Sequence, residues 1–375
     1  MKTICIDART ITADPSGVGR YASSLLPELA RRSPSDVRLI VLRHDSNWEP
    51  LAGPDAPVEQ VFVGEEIDGW AHYLRGQSRL ESVLRDRAEI DLYHSLFHVL
   101  PADVRDVLGT IPVVLTLHDL VWVDHPEHSQ DHWLAARAIE FFGRTAIWDA
   151  LRTADRVVAV SPHTARRAST WIDSDRIRTI PHGVAESFFD DDESGAPVAE
   201  PPYVAAVGND KEYKNLGTLV EAFARIADDY PGLELVLIGG CDGLIGDVRR
   251  LGLEDRVHFP GFVDEERLRS TLRCANVFAF PSLIEGFGLP VLEAMASGTA
   301  TVVSDLEPMR SVAGDAARRV DPRSAGELAR ALDELIGRPE LRAEYERLGR
   351  ERASGFRWSR TADETWGVYR ELLEG

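Results

Sequence analysis

The chain has 375 residues, with 62 acidic side chains against 42 lysines and arginines, a formal net charge of −20 and 44% hydrophobic residues. Its length predicts two or three domains, and its composition is typical of a globular protein rather than a disordered one. The acidic balance disfavours a generic nucleic-acid-binding protein, which would need a basic face to displace counterions. Three widely spaced cysteines, an early acid at Asp7 and no long apolar run predict a cytoplasmic protein without disulfides, signal peptide or membrane span.

Short β-branched runs alternate with helical patterns along the whole chain. In the first half, the predicted strands are residues 3–6, 38–42, 92–94, 113–117, 157–160 and 178–180. The segments with helical spacing between them are residues 20–32, 79–86 and 133–151. In the second half, the predicted strands are residues 203–207, 233–238, 257–259, 276–280 and 301–303. This alternation predicts two doubly wound α/β domains, each with a parallel sheet covered on both faces.

The boundary between these domains is expected in a segment that no packed element would contain. Residues 186–202 combine a run of acids with three prolines, which is typical of a linker. We therefore expect an N-terminal domain over residues 1–185 and a C-terminal domain over residues 203–355. Residues 356–375 have apolar and aromatic side chains at helical spacing, and the pattern leaves open whether this last helix packs back on the first domain.

The first motif along the chain, Gly17-Val18-Gly19-Arg20-Tyr21-Ala22, fits the dinucleotide-binding pattern G-x-G-x-x-A. In a dinucleotide-binding fold the first glycine closes the turn directly after the strand. Here nine residues separate Asp7 from Gly17, so the spacing disfavours an oxidoreductase. A glycine-rich loop ahead of a helix at Arg20 can still approach an anion or an acceptor.

His118 and Asp119 directly follow the predicted strand 113–117. A histidine at the carboxyl end of a strand can bind a hydroxyl group or help to transfer a proton. The alternative is a structural histidine that Asp119 orients. The aromatic and histidine-rich stretch 122–133 is compatible with either an acceptor pocket or a surface loop.

Asp173-Ser174-Asp175 has the D-x-D form with which some transferases hold a metal ion and a diphosphate. It precedes a predicted strand instead of following one, and this position is more typical of a turn. Nothing else in the sequence has the spacing of metal ligands, so we expect no metal site and no cofactor.

The segment Val207-Gly208-Asn209-Asp210-Lys211-Glu212-Tyr213-Lys214-Asn215 ends the first predicted strand of the second half. Lys211 and Lys214 are two of only three lysines in a chain that otherwise uses arginine. A compact ammonium group suits a phosphate ligand, so both lysines are candidates to bind one. The alternative for each is a solvated turn.

The most specific motif is Glu285-Gly-Phe-Gly-Leu-Pro-Val-Leu-Glu293, which follows the predicted strand 276–280. Its glycines allow a close approach of the backbone to a ligand, and Pro290 suits the first turn of a helix. A helix that begins there offers unpaired N–H groups to phosphate or sugar oxygens. Glu285 and Glu293 can accept hydrogen bonds from sugar or ribose hydroxyls on one ligand, the alternative being solvated loop and helix-surface acids.

With these motifs the chain resembles glycosyltransferase family 4, whose members are retaining enzymes that use nucleotide-sugar donors. The resemblance implies the GT-B fold, in which two doubly wound, Rossmann-like domains face each other across a cleft. It extends over essentially the whole chain and is carried further by Asp7-Ala8-Arg9, Val160-Ser161, Ile180-Pro181-His182-Gly183-Val184, Lys214-Asn215-Leu216 and Pro260-Gly261-Phe262-Val263. The arrangement of residues 17–21 is most similar to mannosyltransferases of polysaccharide and O-antigen assembly.

The resemblance implies a role for each matching position. Glu285, Lys214 and His118 would be the catalytic residues. The donor contacts it implies are Glu285 and the backbone of Gly286, Phe287, Gly288 and Leu289 to the sugar, Glu293 to the ribose, Lys214 to the diphosphate, the backbone of Phe262 and Val263 to the base, His118 near the sugar, and Gly17 and Gly19 near the diphosphate.

Asn209 is a departure from the family pattern, which usually has arginine directly after the glycine of this loop. Asparagine can donate a hydrogen bond to a phosphate but brings no charge. We hypothesise that Lys211 or Arg20 supplies the missing positive charge.

The expected activity is therefore retaining transfer of a hexose, with GDP-mannose as the favoured donor, to a glycan, a lipid-linked or a small-molecule acceptor. We expect a cytoplasmic enzyme with no nucleic-acid partner, and peripheral contact with the inner face of a membrane stays open. Two alternatives remain: a nucleotide-sugar epimerase of the GT-B fold, and a nucleotide-sugar-binding protein with degenerate catalysis, which Asn209 motivates.

Overall fold

The computed structural model describes residues 1–9, 17–44, 58–63, 84, 90–101, 104–124, 133–190, 196–200 and 202–374. The chain forms two compact units, one of Met1–Gly183 with Trp358–Gly375 and one of Val184–Arg357. Parts of three predicted segments lie outside the described residues, namely most of the helix 79–86, residues 125–132 of the histidine-rich stretch, and the acidic run 191–195.

The first unit is built on a seven-stranded parallel sheet. Its strands are β1 (Lys2–Asp7), β2 (Val37–Arg43), β3 (Val58–Phe62), β4 (Leu92–Ser95), β5 (Val113–Leu117), β6 (Arg156–Ala159) and β7 (Ile177–Thr179). They lie in the order β3-β2-β1-β4-β5-β6-β7. Every residue of β4 and β5 is buried, as expected for central strands of a sheet with helices on both faces.

The described helices among these strands are α1 (Gly17–Arg31), α2 (Val104–Leu108), α3 (Val121–Asp124), α4 (Trp133–Thr153) and α5 (Pro162–Ala168). On α1, the buried side chains of Tyr21, Leu25 and Leu29 recur every four residues and form the stripe that faces the sheet. At the start of α5, Ser161 Oγ accepts from Thr164 N (3.1 Å), which stabilises the helix by about 1 kcal/mol.

The second unit has a six-stranded parallel sheet. Its strands are β8 (Tyr203–Val207), β9 (Glu234–Ile238), β10 (Val257–Gly261), β11 (Val277–Phe280), β12 (Thr301–Ser304) and β13 (Arg318–Val320), in the order β10-β9-β8-β11-β12-β13. The order reverses between β8 and β11, so the connections on the two sides of this point wind in opposite directions. Ligands of open parallel sheets bind at the carboxyl edge beside such a reversal.

The described helices of the second unit are α6 (Leu216–Ala224), α7 (Ile245–Arg250), α8 (Glu265–Cys274), α9 (Leu289–Ala296), α10 (Met309–Ala313), α11 (Ala325–Gly337) and α12 (Pro339–Ser354). Two of them begin at side-chain caps. Asp264 Oδ1 accepts from Arg267 N (2.8 Å) before α8, and Ser324 Oγ accepts from Glu327 N (3.2 Å) before α11. A serine followed three residues later by glutamate is the sequence signature of such a start.

The last helix, α13 (Trp358–Glu374), belongs to the first unit. Trp366 Nε1 donates to Leu29 O at the end of α1 (3.2 Å). Glu371 accepts from Arg156 on β6 (2.6 Å) and from Arg178 on β7 (2.7 Å). The helix is therefore held on the first unit by a buried indole and by ion pairs to two strands.

All the predicted strands form, with ends that differ from the prediction by at most two residues. Two strands were not predicted, β3 and β13, because both lie at sheet edges and polar residues interrupt or replace their apolar runs. Among the described residues, no helix is both long and apolar enough to cross a lipid bilayer.

Candidate functional site

Two loops of the second unit meet at the carboxyl edge of its sheet. Because β8 and β11 are paired neighbours, the loops that follow them emerge side by side. The loop after β8 passes through Gly208 and ends in a 3-10 turn, Glu212–Lys214. The loop after β11 passes through Glu285 and leads into α9. The sheet thus brings together the two most specific motifs of the sequence.

Lys214 and Glu285 form an ion pair between these loops. Lys214 Nζ lies 2.6 Å from Glu285 Oε1, and only 19% and 13% of the two side chains are exposed. The ammonium also lies 5.3 Å from the Tyr213 ring and 5.6 Å from the Phe280 ring, within the range of cation–π attraction. Shielded from water to this extent, each charge is compensated in part by the other for its lost hydration.

Asn215 fastens the turn that ends at Lys214 to neighbouring loops. Among the described residues it is the only one other than glycine with a positive φ, at 57°. Its Nδ2 donates to Pro281 O (3.0 Å) and Pro322 O (2.7 Å), and its Oδ1 accepts from Thr218 Oγ1 (2.7 Å). Asparagine suits this position because it tolerates the left-handed conformation better than most residues do.

Helix α9 begins at Leu289, four residues after Glu285, and is preceded by Gly288, a glycine that cannot be replaced without strain. Gly288 has a φ of 96°, and a Cβ there would lie 2.3 Å from Met309 Cε. Pro290 is in the first turn of the helix, as predicted. The first turn of α9 lies at the positive end of the helix dipole, although Pro290 has no N–H group and Val291 N donates to Gly288 O (3.0 Å). Glu293 is only 2% exposed, so its interpretation as a helix-surface acid is wrong.

Two phenylalanines that were expected to offer backbone contacts differ in their side chains. The Phe287 side chain is buried and its ring centroid lies 6.1 Å from that of Phe356. The Phe262 side chain is 79% exposed directly after β10, and a Cβ at Gly240 would lie 3.9 Å from its ring. The remaining predicted backbone positions on this edge are Gly286, Leu289 and Val263.

The loop after β8 is closed by glycines and by Asn209. A Cβ at Gly239 would lie 2.1 Å from Gly208 O, so only glycine fits where the loops after β8 and β9 touch. Asn209 Oδ1 accepts from Lys211 N (3.2 Å), which closes the turn ahead of Lys214. The Lys211 side chain is exposed, and its contact with a phosphate stays a prediction.

In the first unit, the sequence had predicted that α1 begins at Arg20, but the helix begins at Gly17. Gly17 and Gly19 are therefore in the first turn of the helix rather than in a loop before it. The low helix propensity of glycine suggested a later start, but a glycine costs least in a first turn, where packing of the following residues determines the helix. Arg20 is partly exposed on this turn.

His118 lies directly after β5, as predicted, but its ring is buried. Its Nε2 is 2.9 Å from Leu96 O, and because a carbonyl only accepts, Nε2 carries the hydrogen and Nδ1 is the acceptor of the neutral ring. Burial lowers the pKa of His118 to about 4. Asp119 Oδ1 accepts from Val121 N (3.0 Å), so this hydrogen bond closes the turn into α3.

His118 belongs to a buried group of aromatic rings. The Tyr21 ring centroid lies 4.9 Å from that of His118 and 4.8 Å from that of His182, and His98 lies 6.4 Å from His118. Burial lowers the pKa of His98 to about 4 and that of His94 to about 3, and it lowers the pKa of His182 well below its ordinary value. These histidines are neutral at pH 7.

Sequence models of two families match almost the whole chain. The model described as Glycosyltransferase Family 4 matches residues 15–188, and the model described as Glycosyl transferases group 1 matches residues 188–352. The chain belongs to glycosyltransferase family 4. The Lys214–Glu285 pair lies in the second of these matches, and the buried histidines of this glycosyltransferase lie in the first.

Known relatives agree with this family assignment, and a solved structure shows the fold. The D-inositol 3-phosphate glycosyltransferase of Acidothermus cellulolyticus is 28% identical over 96% of this chain and 86% of its own length. The phosphatidyl-myo-inositol mannosyltransferase of Mycolicibacterium smegmatis is 33% identical over 58% of this chain and 57% of its own length. Sucrose-phosphate synthase from Thermosynechococcus elongatus matches with a TM-score of 0.79 at 23% identity, covering 100% of both chains. The family-4 chain therefore has the GT-B fold, with two doubly wound Rossmann-like units.

Sequence reasoning gave no role to a buried ion pair at the end of β1 in this glycosyltransferase. Arg9 Nε donates to Asp7 Oδ1 (2.8 Å), and Arg9 Nη2 donates to Asp7 Oδ2 (2.6 Å). Tyr93 Oη donates to the same Oδ2 (2.7 Å). A fork of two parallel hydrogen bonds fixes the chain where it leaves the carboxyl end of the strand.

The absence of a metal site stays a prediction for the enzyme as a whole. Within the part of the chain that the structure describes, no group of three or more His, Cys, Asp or Glu side chains is placed to hold a metal ion. Asp173 precedes the 3-10 turn Ser174–Arg176, so the D-x-D sequence lies in a turn, as predicted.

A cavity of about 830 Å³ lies at the amino edge of the first unit's sheet, beside Pro112 and Asp155. Two of the arginines that line it donate hydrogen bonds to carbonyl oxygens at the end of the adjoining helix α4. Arg105 donates to Thr153 O (2.6 Å), and Arg176 donates to further carbonyl oxygens at the end of α4. Cations at the carboxyl end of a helix stabilise its unpaired carbonyls, so we give these arginines a structural role.

Proposed function

We propose that this family-4 glycosyltransferase transfers a hexose from a nucleotide-sugar donor to a glycan, a lipid-linked or a small-molecule acceptor, with retention of the anomeric configuration. The observation that carries the proposal is the Lys214–Glu285 pair beside the first turn of α9. It puts a cation, a carboxylate and helix-end amides at one edge of the sheet, where a phosphate and sugar hydroxyls each find a complementary group.

The diphosphate of the donor interacts with Lys214 and with the positive end of the dipole of α9. When the bond between the anomeric carbon and the phosphate oxygen breaks, negative charge develops on the departing nucleoside diphosphate. Preorganised positive charge at that oxygen is the main catalytic contribution, and in this proposal no metal ion supplies it. Undiminished transfer in the presence of EDTA is the expected result.

The sugar is held by Glu285 and the reaction proceeds by front-side attack. The acceptor oxygen bonds to the anomeric carbon on the face that the phosphate leaves, and its proton passes to the departing phosphate oxygen. Proton transfer does not need His118, because its low pKa makes this histidine a poor proton donor at pH 7. Retention is checked by nuclear magnetic resonance of the first product formed.

GDP-mannose is the donor we favour, and the name of the mycobacterial mannosyltransferase relative supports this choice. The test is a transfer assay with GDP-mannose, UDP-glucose, UDP-N-acetylglucosamine and ADP-glucose against a panel of acceptors. Lys214→Ala and Glu285→Ala should each reduce transfer by about 100-fold or more, equivalent to about 2.7 kcal/mol of barrier. Lys2→Ala is the matched control, because Lys2 pairs with Asp91 in the other unit.

Each alternative function gives a different result in the same assay. An epimerase would convert the donor in the absence of any acceptor. A binding protein with degenerate catalysis would bind a donor but transfer nothing to any acceptor, and Asn209 is the observation that favours it. Near-full transfer by Lys214→Ala would refute the assignment of the donor site.

Peripheral membrane contact is part of the proposal for a lipid-linked acceptor. On α4, Phe141 is 68% exposed and Trp148 is 42% exposed, and the two border a groove of about 480 Å³ with Arg144. Exposed aromatic rings beside arginines suit the headgroup region of an anionic bilayer. Wild-type protein should float with anionic vesicles and Phe141→Ser/Trp148→Ser should not, with Phe62→Ser on β3 as the control.

A further inference from the structure

We infer that Glu285 makes the donor site select the intact nucleotide sugar over the nucleoside diphosphate product, by competing with the diphosphate for Lys214. This inference rests on the proposed function, in which Lys214 binds the diphosphate and Glu285 the sugar. In the chain by itself the two groups are partners, with Nζ and Oε1 2.6 Å apart and both side chains largely shielded. A phosphate that binds Lys214 therefore competes with a carboxylate for the same ammonium group.

The loops that carry the pair are fastened to each other. Leu283 N donates to Tyr213 O (2.7 Å), and Asn215 Nδ2 donates to Pro281 O (3.0 Å). These two bonds connect the segment before Glu285 with the turn that ends at Lys214. Separation of the loops would break both bonds, so exchange of partners takes place by rotation of the two side chains.

A nucleoside diphosphate alone satisfies only one member of the pair. Its phosphate oxygens replace the carboxylate as partner of Lys214, but they bring no donor for Glu285. The carboxylate is then left shielded from water, without its cation and near added negative charge. Both the lost compensation and the repulsion between like charges weaken binding of the product.

A nucleotide sugar satisfies both members. The diphosphate pairs with Lys214 while the sugar hydroxyls donate to the Glu285 carboxylate, and hydrogen bonds to an ionised acceptor are among the stronger ones. After transfer the hydroxyls leave with the acceptor, and the carboxylate again competes for Lys214. The ion pair thereby promotes release of the nucleoside diphosphate and limits inhibition by product.

The test compares ligand affinities of wild type and Glu285→Gln by isothermal titration calorimetry. Glutamine keeps the size of the side chain and an acceptor oxygen but removes its charge. The probes are inorganic pyrophosphate, which does not depend on the base, and the pairs GDP with GDP-mannose and UDP with UDP-glucose. Glu285→Gln should bind pyrophosphate about tenfold more tightly than wild type, and the preference for the sugar-bearing nucleotide should shrink by a similar factor.

Glu212→Gln is the matched control. Glu212 is exposed at the start of the same 3-10 turn as Lys214, so its replacement removes the same formal charge while Lys214 and Glu285 both keep their side chains. It should raise the affinity for pyrophosphate by less than about threefold, because water and salt screen an exposed charge. In a Lys214→Ala background, most of the gain from Glu285→Gln should disappear, since the competition acts through Lys214 and only the repulsion between the carboxylate and pyrophosphate remains.

Three results would overturn the inference: unchanged pyrophosphate affinity in Glu285→Gln, an equal gain in Glu212→Gln, or a full gain that persists with Lys214→Ala. If Glu285→Gln does not fold, Glu285→Ala also removes the carboxylate and should show the same tighter binding of pyrophosphate. Failure of the proposed donor site looks different. In that case pyrophosphate and the nucleotides either do not bind wild type or bind Lys214→Ala equally well.

Discussion

Acidification should unfold the first unit, because its buried histidines are neutral in the folded chain. Burial lowers the pKa of His94 to about 3 and that of His98 and His118 to about 4, against an ordinary value of 6.5. Between pH 6.5 and these lower values the unfolded chain binds more protons than the folded one. Stability is therefore complete above pH 6.5 and is lost as the pH falls toward 4.

The magnitude follows from these pKa values. At about pH 5 each of the three histidines removes about 2 kcal/mol of unfolding free energy, or on the order of 6 kcal/mol together. Such a loss is comparable to the whole stability of a typical domain. We therefore expect the first unit to be marginal or unfolded at about pH 5 while it is stable at about pH 7.5.

Urea unfolding followed by tryptophan fluorescence measures this loss in the correct unit. All eight tryptophans fall in residues 1–183 or 358–375, so their emission reports on the first unit. His98→Gln should flatten the dependence of unfolding free energy on pH, whereas His258→Gln in the second unit is the control and should not. A change of less than about 1 kcal/mol between pH 7.5 and pH 5 would refute the reasoning.

Two further predictions concern the second unit. Asn215→Gly keeps the positive φ but loses the three hydrogen bonds of the Asn215 side chain. Asn215→Asp instead turns an acceptor oxygen toward two carbonyl oxygens. Chemical unfolding should show that the free energy of unfolding falls by about 1–2 kcal/mol for glycine and by more for aspartate. An equal loss would contradict this account of the amide. Gly288→Ala should cost about 1–3 kcal/mol because of its φ of 96° and its approach to Met309, and it should lower transfer as α9 shifts. Gly246→Ala within α7, where no atom lies within 4 Å of the added Cβ, is the control and should be neutral or stabilising.

The strands and the edge of the sheet that carries the site could be predicted from local sequence. Runs of β-branched residues between helical patterns fix where parallel strands form, and functional loops follow their carboxyl ends. For this reason Lys214 and Glu285 could be named without knowledge of the strand order. That they form an ion pair could not be predicted, because it depends on β8 and β11 being neighbours in the sheet.

Features that depend on contacts between distant segments escaped prediction. His94, His98, His118 and His182 come from four separate loops or strands, and nothing in their spacing indicates that they share one buried region. Asn215 ends the lysine-containing segment 207–215, but its role depends on the carbonyl groups of two other loops. The start of α1 at Gly17 shows the same limit, since packing of the helix outweighed the propensity of its first residues.

The measurement that tests the donor site most directly is a calorimetric titration of wild type, Lys214→Ala and Lys2→Ala with nucleotide sugars, beginning with GDP-mannose. These variants remove two of the three lysines, one at the proposed diphosphate position and one paired with Asp91 in the first unit. We predict binding to wild type, affinity lower by about tenfold or more in Lys214→Ala, and no change in Lys2→Ala. Equal binding by wild type and Lys214→Ala would contradict the assignment of the donor site.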